Sequence, residues 1–156
     1  MGMQELDQIT IAPVTEAETG AGSNDAKHGE PRSLDTITAL IGLAAVDLIL
    51  KLRGFPSLHR TVKSWPLSSR RKPTRDTLDL ICGAVDRACT YYLKRALCLQ
   101  RSALTTCLLR RQGVKAEMVI GCRVMPYHGH AWVEVDGKVV NDKQKVHEFY
   151  SVLERC

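Results

Sequence analysis

The sequence predicts an α+β fold in which helices come first and an antiparallel sheet follows. Between residues 33 and 113, apolar residues recur at the three- and four-residue spacing of helices. After Gly113, segments rich in Val and Ile read as strands, namely "AEMVIGCRV", "HAWVEV" and "KVVN". The chain has 156 residues, of which 44% are apolar, enough for one domain with a substantial core.

The first 32 residues differ from the rest in composition and charge. They hold six acids and two bases, a net charge of −4, mixed with Gly, Ser, Thr and Pro. Because no apolar periodicity would offset the entropy of ordering them, residues 1–32 are predicted to be a flexible acidic tail. Residues 33–156 are the predicted folded domain, and they carry +9 because the whole chain carries +5.

A strongly basic domain favours encounters with acidic partners. One alternative is therefore a basic nucleic-acid-binding protein. Aromatic residues make up only 5% of the chain, and no nucleic-acid-binding motif is recognisable, so we predict no nucleic-acid partner.

The six cysteines are interpreted as reduced thiols of a cytoplasmic protein. The chain starts without the basic, apolar and small-residue regions of a secretory signal. No Cys-x-x-Cys pair occurs, which argues against a structural zinc site. Most of the six are expected to be small core residues.

The predicted helices are separated by clear stop signals. The first covers residues 34–53 and ends at Gly54; its apolar run is interrupted by Asp47 and is shorter than the roughly 20 residues of a membrane span. A basic segment with three prolines follows, divided into a short helix and a loop. Thr74 caps the next predicted helix, which continues to about Tyr92.

A third predicted helix, "CLQRSALTTCLLRRQG", begins near Cys98 and stops at Gly113. A cysteine at a helix start feels the partial positive charge of unpaired N–H groups, which favours the nucleophilic thiolate. Cys98 is the best placed of the six cysteines for this role. Such a nucleophile needs a base and a group that orients the base, and His130 and Asp142 are the candidates.

The hairpin that carries His130 and Asp142 sets a condition on this triad. A two-residue turn at 136–137 would put His130 opposite Lys143 and point Asp142 to the other face. A three-residue loop at 135–137, closed by a bulge, would put His130 directly opposite Asp142. The triad therefore requires that loop or an equivalent bulge.

Two plainer interpretations compete with the triad. The first takes His130 as a half-buried strand histidine and Asp142 as a turn residue. Alternatively, His128 and His130 share one strand face and could begin a metal site. A third ligand at suitable spacing is missing, so neither a metal nor a cofactor is predicted.

At these residues the chain resembles the transglutaminase-like leader peptidases of lasso-peptide biosynthesis, in their stand-alone form, which are related to papain-type cysteine proteases. The resemblance covers roughly residues 33–155 and is carried by "CLQRSALTTCLLRRQGVKAEMVIGCR" and "HAWVEVDGKVVND". It implies a papain/transglutaminase-like fold, with N-terminal helices and a cysteine-bearing helix on a small antiparallel sheet. Family members often have proline and alanine where this chain has Gln100 and Gly129.

The resemblance implies that Cys98 is the nucleophile, His130 the base and later acid, and Asp142 its orienting group. The backbone N–H of Cys98 is the natural oxyanion donor, and a second donor stays unassigned. The implied substrate is a ribosomally made precursor peptide, delivered by a small leader-recognition protein before a partner cyclase closes a macrolactam. The helix at 34–53, through Leu40, Leu43 and Leu50, and the basic loop near Arg70 are candidate docking surfaces.

Three alternatives stay open beside this function. The same triad would serve a transglutaminase or an amide ligase, since it does not fix whether water or an amine accepts the acyl group. A basic binding protein without catalysis is the second. A catalytically dead scaffold that keeps the fold for protein contacts is the third.

Overall fold

The structure, a computed structural model, describes residues 33–68, 75–93 and 96–156. In this part of the chain, helices precede a four-stranded antiparallel sheet, which confirms the predicted α+β arrangement. The helices are α1 (Ser33–Lys63), α2 (Arg75–Tyr91), α3 (Cys98–Arg111) and the short α4 (Val146–Phe149). The strands are β1 (Ala116–Arg123), β2 (His128–Val135), β3 (Lys138–Val139) and β4 (Ser151–Arg155).

The predicted stop at Gly54 is confirmed as a sharp break within α1. Gly54 has φ 72° and ψ −179°, a backbone conformation that only glycine adopts without strain. The helix resumes across Pro56, which is tolerated in a first helical turn because its missing N–H would lack a partner there. The tail at 1–32, the Thr74 cap and the loop around Arg70 lie outside the described residues.

The core lies where the three long helices meet the sheet. From α1, Leu43, Leu58 and Val62 are at most 1% exposed, and they pack in one cluster with Val85 of α2 and Leu104 of α3. The cluster continues into β1. Helix α3 is thereby held between the other helices and the sheet, so that its N-terminal end has a fixed position relative to the strands.

The expected docking positions on the first helix are wrong. Leu43 is buried, and Leu40 and Leu50 are partly buried against the same core cluster. Helix α1 is apolar on more than one side, and the face chosen from the sequence is the face that packs inward. Its exposed apolar side chains lie elsewhere, at Ile37, Ile41, Leu48 and Leu52, which are 52–73% exposed.

The sheet order is β3-β2-β1-β4, so β2 and β1 are central and each has two neighbours. On the helix side, Val133 and Val135 pack with Leu109 of α3. On the other side, Trp132 packs with Val119 of β1 and with α4. Because side chains alternate along a strand, His130 shares the face of Trp132 and points away from the helix layer.

Gly121 on β1 makes room for the Trp132 ring, and we predict that Gly121→Ala destabilises the protein. A Cβ at Gly121 would lie 2.8 Å from Trp132 Cη2 and 2.9 Å from the Ser151 carbonyl oxygen, so backbone as well as ring must shift. The free energy of unfolding should fall by about 1–3 kcal/mol, the usual cost of overpacking. Urea denaturation measures it.

The matched control for this substitution is Gly129→Ala on the neighbouring strand. A Cβ at Gly129 would meet no atom within 4 Å. The urea midpoint of the Gly129→Ala protein should stay at the wild-type value, and an equal loss in both variants would refute the packing argument.

None of the described helices is both long enough and apolar enough to cross a membrane.

Candidate active site

Cys98 is the first residue of α3, as predicted, and its side chain is half-buried. The helix ends after Arg110 and Arg111, where Gly113 adopts a positive φ of 79°. The first N–H groups of a helix have no partner within it. The backbone N–H of Cys98 is therefore available to an acceptor just outside the helix, next to the cysteine sulfur.

Gln100 fixes the start of this helix. Its side-chain Oε1 accepts a hydrogen bond of 2.7 Å from the Leu97 N–H, which is the return half of a capping box. Its Nε2 donates to Asp47 Oδ1 on α1 at 3.1 Å. Asp47, the polar residue that interrupts the apolar run of α1, thus anchors the cysteine helix through Gln100.

The prediction of a three-residue loop between β2 and β3 is wrong. The turn between β2 and β3 has two residues, Asp136 (φ 50°) and Gly137 (φ 75°), both in the left-handed region. Val135 pairs with Lys138, as expected for the favoured two-residue hairpin turn. Continued regularly, this register would turn Asp142 away from His130.

An irregularity after β3 reverses that outcome. Val140 packs with the helix-side cluster, and the next residue, Asn141, also points to the helix side, where its Nδ2 donates to Ser102 Oγ at 3.0 Å. In a regular strand, consecutive side chains point to opposite faces, so two neighbours on one face mark an extra residue, as in a β-bulge. The extra residue turns Asp142 to the face of His130, so the alternative condition of an equivalent bulge is met.

His130 and Asp142 are in direct contact. His130 Nε2 lies 2.6 Å from Asp142 Oδ2, and the two side chains are 19% and 24% exposed. The second carboxylate oxygen accepts the Lys143 N–H at 2.7 Å, which fixes the plane of the carboxylate. With Nε2 engaged by the carboxylate, Nδ1 is the ring nitrogen left to exchange a proton.

Aromatic rings support the His130 imidazole on two sides. The Tyr150 ring lies 4.9 Å from it and the Trp132 ring 6.1 Å, measured between ring centroids. The Tyr150 hydroxyl is 3.1 Å from His128 Nδ1, and the Arg123 guanidinium carbon is 5.9 Å from the Tyr150 ring centroid. His128 is thus engaged by Tyr150, and within the described residues no three His, Cys, Asp or Glu side chains cluster as metal ligands would.

A buried carboxylate anchors Trp132 further along the same face. Glu134 is 3% exposed, accepts the Trp132 indole N–H at 2.7 Å and pairs with Arg155 of β4. Burial opposes its ionisation, but the hydrogen bonds from Arg155 and Trp132, together with the charges of Arg155 and His147, outweigh burial and hold the pKa of Glu134 below its usual range. The ion pair keeps the wall behind His130 rigid.

Cys98 and His130 lie at the same end of two packed elements. Ser102, one turn after Cys98, donates to the carbonyl of Ala131 at 2.9 Å; further along, Leu109 packs with Val133. Helix α3 and strand β2 therefore run in the same direction, with Cys98 toward the His130 end. Between the described residues, no hydrogen bond joins the Cys98 thiol to the His130–Asp142 pair.

Burial separates the cysteines by reactivity. It raises the pKa of Cys82 and Cys107 to about 11, and it also raises the pKa of Cys89 and Cys156. At pH 8, a thiol with a pKa of 11 is only about one part in a thousand thiolate. These four cysteines are poorly suited to act as nucleophiles.

We predict that iodoacetamide at pH 8 modifies Cys98 before the other five cysteines. Peptide mapping by mass spectrometry gives the order of labelling. Protein unfolded in urea, in which all six thiols have equal access, is the control. Labelling of Cys98 no faster than that of Cys107 would contradict the prediction.

The architecture of helices, cysteine-led helix and antiparallel strands defines a class. A sequence profile of the transglutaminase-like superfamily matches residues 42–155, and the chain belongs to this superfamily. Within that class it is similar to the microcin J25-processing protein McjB of Escherichia coli, with 38% identity over 56 residues. The match covers 36% of this chain and 27% of that relative. No solved structure matches the chain.

Several residues that build the site were missed by sequence reasoning. Ser102 carries a usable signal, because it lies four residues after Cys98 and so on the same helix face. Asn141 adjoins Asp142, but its position in the predicted strand "KVVN" gives no sign of a role in the site. Tyr150 carries no signal, since only the fold of the chain end brings its ring to His130.

Proposed function

We propose that this protein is a cysteine peptidase that removes the leader from a ribosomally made lasso precursor peptide. The observation that carries the proposal is the 2.6 Å contact between His130 and Asp142, formed at the end of the sheet toward which Cys98 lies. The superfamily and the similarity to a microcin-processing protein support the same conclusion. Incubation of a cognate precursor with this protein and its recognition protein, followed by mass spectrometry, should yield separate leader and core fragments.

The proposed reaction begins with transfer of the Cys98 thiol proton to His130 Nδ1. The thiolate attacks the carbonyl carbon of the scissile peptide bond, and the oxyanion accepts the Cys98 backbone N–H. The C–N bond then breaks as the imidazolium returns its proton to the leaving amine. Water, deprotonated by His130, hydrolyses the acyl-enzyme and releases the leader carboxylate. Asp142 holds the Nε2–H throughout and stabilises the imidazolium.

Gly129 gives the substrate a route between the nucleophile and the base. It precedes His130 on β2, faces the helix side by alternation, and leaves open the volume that a side chain would fill. In the proposed complex the scissile carbonyl lies beyond the end of the sheet at Gly129, between the Cys98 thiol on the helix side and the His130 ring on the other face. Apo enzymes often have long catalytic contacts that tighten only when substrate is bound.

We further propose that a leader-recognition protein delivers the precursor by binding the exposed apolar stripe of α1. The stripe consists of Ile37, Ile41, Leu48 and Leu52, which recur at helical spacing along the outer face. A helix with an unpartnered apolar face is well suited to lie in a hydrophobic groove of a partner. The partner's groove is expected to be apolar because the stripe carries no charged side chain.

A charge on the stripe is expected to disrupt delivery. The double variant Ile41→Glu and Leu48→Glu should weaken binding of the recognition protein by at least about tenfold, because each carboxylate must be desolvated in the interface. Calorimetry measures the affinity, and Leu80→Glu, at an exposed apolar position on α2, is the matched control. Equal affinity in the stripe variant and the wild type would refute this docking surface.

A transglutaminase or amide ligase on the same fold is the second candidate function. It shares the acyl-enzyme and differs only in using an amine as the acceptor. The proposed site is open at Gly129, which gives water access to the acyl-enzyme. The masses of the products distinguish hydrolysis from transfer to an amine.

A further inference from the structure

A buried chain of hydrogen bonds connects the cysteine helix to the histidine–aspartate pair. Ser102 Oγ of α3 donates to the Ala131 carbonyl at 2.9 Å and accepts from Asn141 Nδ2 at 3.0 Å. Asn141 Oδ1 in turn accepts the Val133 N–H at 2.7 Å. Ser102 is 1% exposed and Asn141 is 6% exposed, so these bonds have no water to replace them.

One bond in this chain, from the Val133 N–H to Asn141 Oδ1, stands in for a bond of the regular ladder. In a continued β2–β3 pairing, the Val133 N–H would donate to the Val140 carbonyl, because the Val140 N–H already donates to Val133 at 3.0 Å. The Asn141 side chain takes that donor instead. Without that ladder bond the chain leaves the β2–β3 register after Val140, and the bond that Asn141 Nδ2 donates to Ser102 Oγ keeps Asn141 on the helix side.

The position of Asn141 determines the direction of Asp142. Adjacent side chains of an extended chain point to opposite faces. With Asn141 held against α3, Asp142 must project to the far face, where His130 lies. If Asn141 were released and the two-residue hairpin register continued, Asn141 would turn toward Trp132 and Asp142 would turn toward the helix.

We propose that Ser102 and Asn141 are positioning residues for the reaction of Cys98, His130 and Asp142. Their bonds set the face on which Asp142 lies and fix it relative to the helix that begins with Cys98. Ser102 is one helical turn from Cys98, and Ala131 is the neighbour of His130, so a single buried oxygen relates the two halves of the site. The inference rests on the proposed function for its kinetic part, and its geometric part stands on the His130–Asp142 contact alone.

The test compares three alanine substitutions of polar side chains in this region. Asn141→Ala and Ser102→Ala each remove one member of the buried chain. Gln144→Ala is the matched control, because the Gln144 amide also donates to a strand carbonyl, that of Val139, at 2.5 Å but has no bond to α3 or to the pair. Ser102→Ala deletes one oxygen only and provides a folded variant if Asn141→Ala does not fold.

Proton NMR of the protein without substrate gives the first readout. The imidazole N–H shared between His130 and Asp142 should appear as a downfield resonance that is absent from Asp142→Ala. We expect it to be lost in Asn141→Ala, lost or broadened in Ser102→Ala, and retained in Gln144→Ala. Its retention in folded Ser102→Ala and Asn141→Ala would overturn the proposal, whatever reaction the protein catalyses.

Steady-state kinetics with precursor and recognition protein gives the second readout. Asn141→Ala and Ser102→Ala should lower kcat by between about 10- and 100-fold with little change in KM, since misplacement of a catalytic group costs rate at this scale. The double variant should be no slower than the slower single variant, because both act through one chain of bonds. A wild-type-like kcat in both single variants, or an equal loss in Gln144→Ala, would overturn the proposal.

Absence of cleavage by the wild-type protein would refute the proposed function and leave the NMR result to decide the positioning role.

Discussion

Replacement of Cys98 by alanine is expected to abolish cleavage of the precursor peptide. Alanine removes the sulfur that would form the acyl-enzyme, and no neighbouring hydroxyl in the described site lies at the helix start to replace it. The rate should fall by at least about 10³-fold, as expected when the nucleophile of a covalent mechanism is lost. Quantitative mass spectrometry of precursor and products over time measures the effect.

The matched control for the nucleophile is Cys122→Ala. Cys122 is also half-buried and lies on β1 opposite Gly129, so its loss tests a thiol in the same region. It should retain most of the wild-type rate, and circular dichroism should confirm that both variants fold. If Cys98→Ala cleaved precursor as fast as Cys122→Ala, the assignment of the nucleophile would be wrong.

Replacement of His130 by alanine should have the second largest effect. Without the imidazole, the thiol has no acceptor for its proton and the leaving amine has no donor. General acid–base catalysis contributes about 10²- to 10⁴-fold, and a loss in that range is predicted for kcat/KM. The alanine variant should remain folded, because His130 is partly exposed and lies at the end of the sheet.

His128→Ala separates this effect from a general loss of imidazole near the sheet edge. His128 lies on the same face, two residues earlier, and its contact is with Tyr150 instead of a carboxylate. Its rate should stay within a few-fold of wild type. Comparable losses in the two histidine variants would show that neither ring acts as the specific base.

The helices were predictable because their boundaries are set by local chemistry. Gly54 adopts a positive φ that breaks α1, Gly113 adopts one where α3 ends, and the position of Cys98 at a helix start follows from the apolar spacing. The segment "HEFYSVLE" near the chain end is compatible with a short helix or a strand by local pattern, and it contains parts of both, α4 followed by β4. Local signals of this kind do not depend on the rest of the fold.

The inward face of α1 could not be predicted, for a physical reason. Apolar residues cover more than one side of this helix, so periodicity alone does not say which side packs against the core. Leu43 is buried and Ile41 is 67% exposed, two residues apart and equally apolar. Only the arrangement of α2 and α3 around α1 decides between them.

In the hairpin, the predicted contact between His130 and Asp142 is present although the predicted turn is wrong. Counting the register identified the one-residue shift that brings Asp142 to His130, but placed it in the turn at Gly137. The shift occurs at Asn141 instead, because Ser102 of α3 provides a buried partner there. A long-range hydrogen bond between residues 39 apart leaves no trace in the local pattern of either segment.

The most direct test of the central claim is precursor cleavage in water enriched in the heavy oxygen isotope, followed by mass spectrometry of the products. The proposed peptidase should give a core peptide and a leader whose new carboxyl group carries one heavy oxygen from water. A leader joined to an amine without heavy oxygen, or an intact precursor in the presence of an active recognition protein, would contradict it.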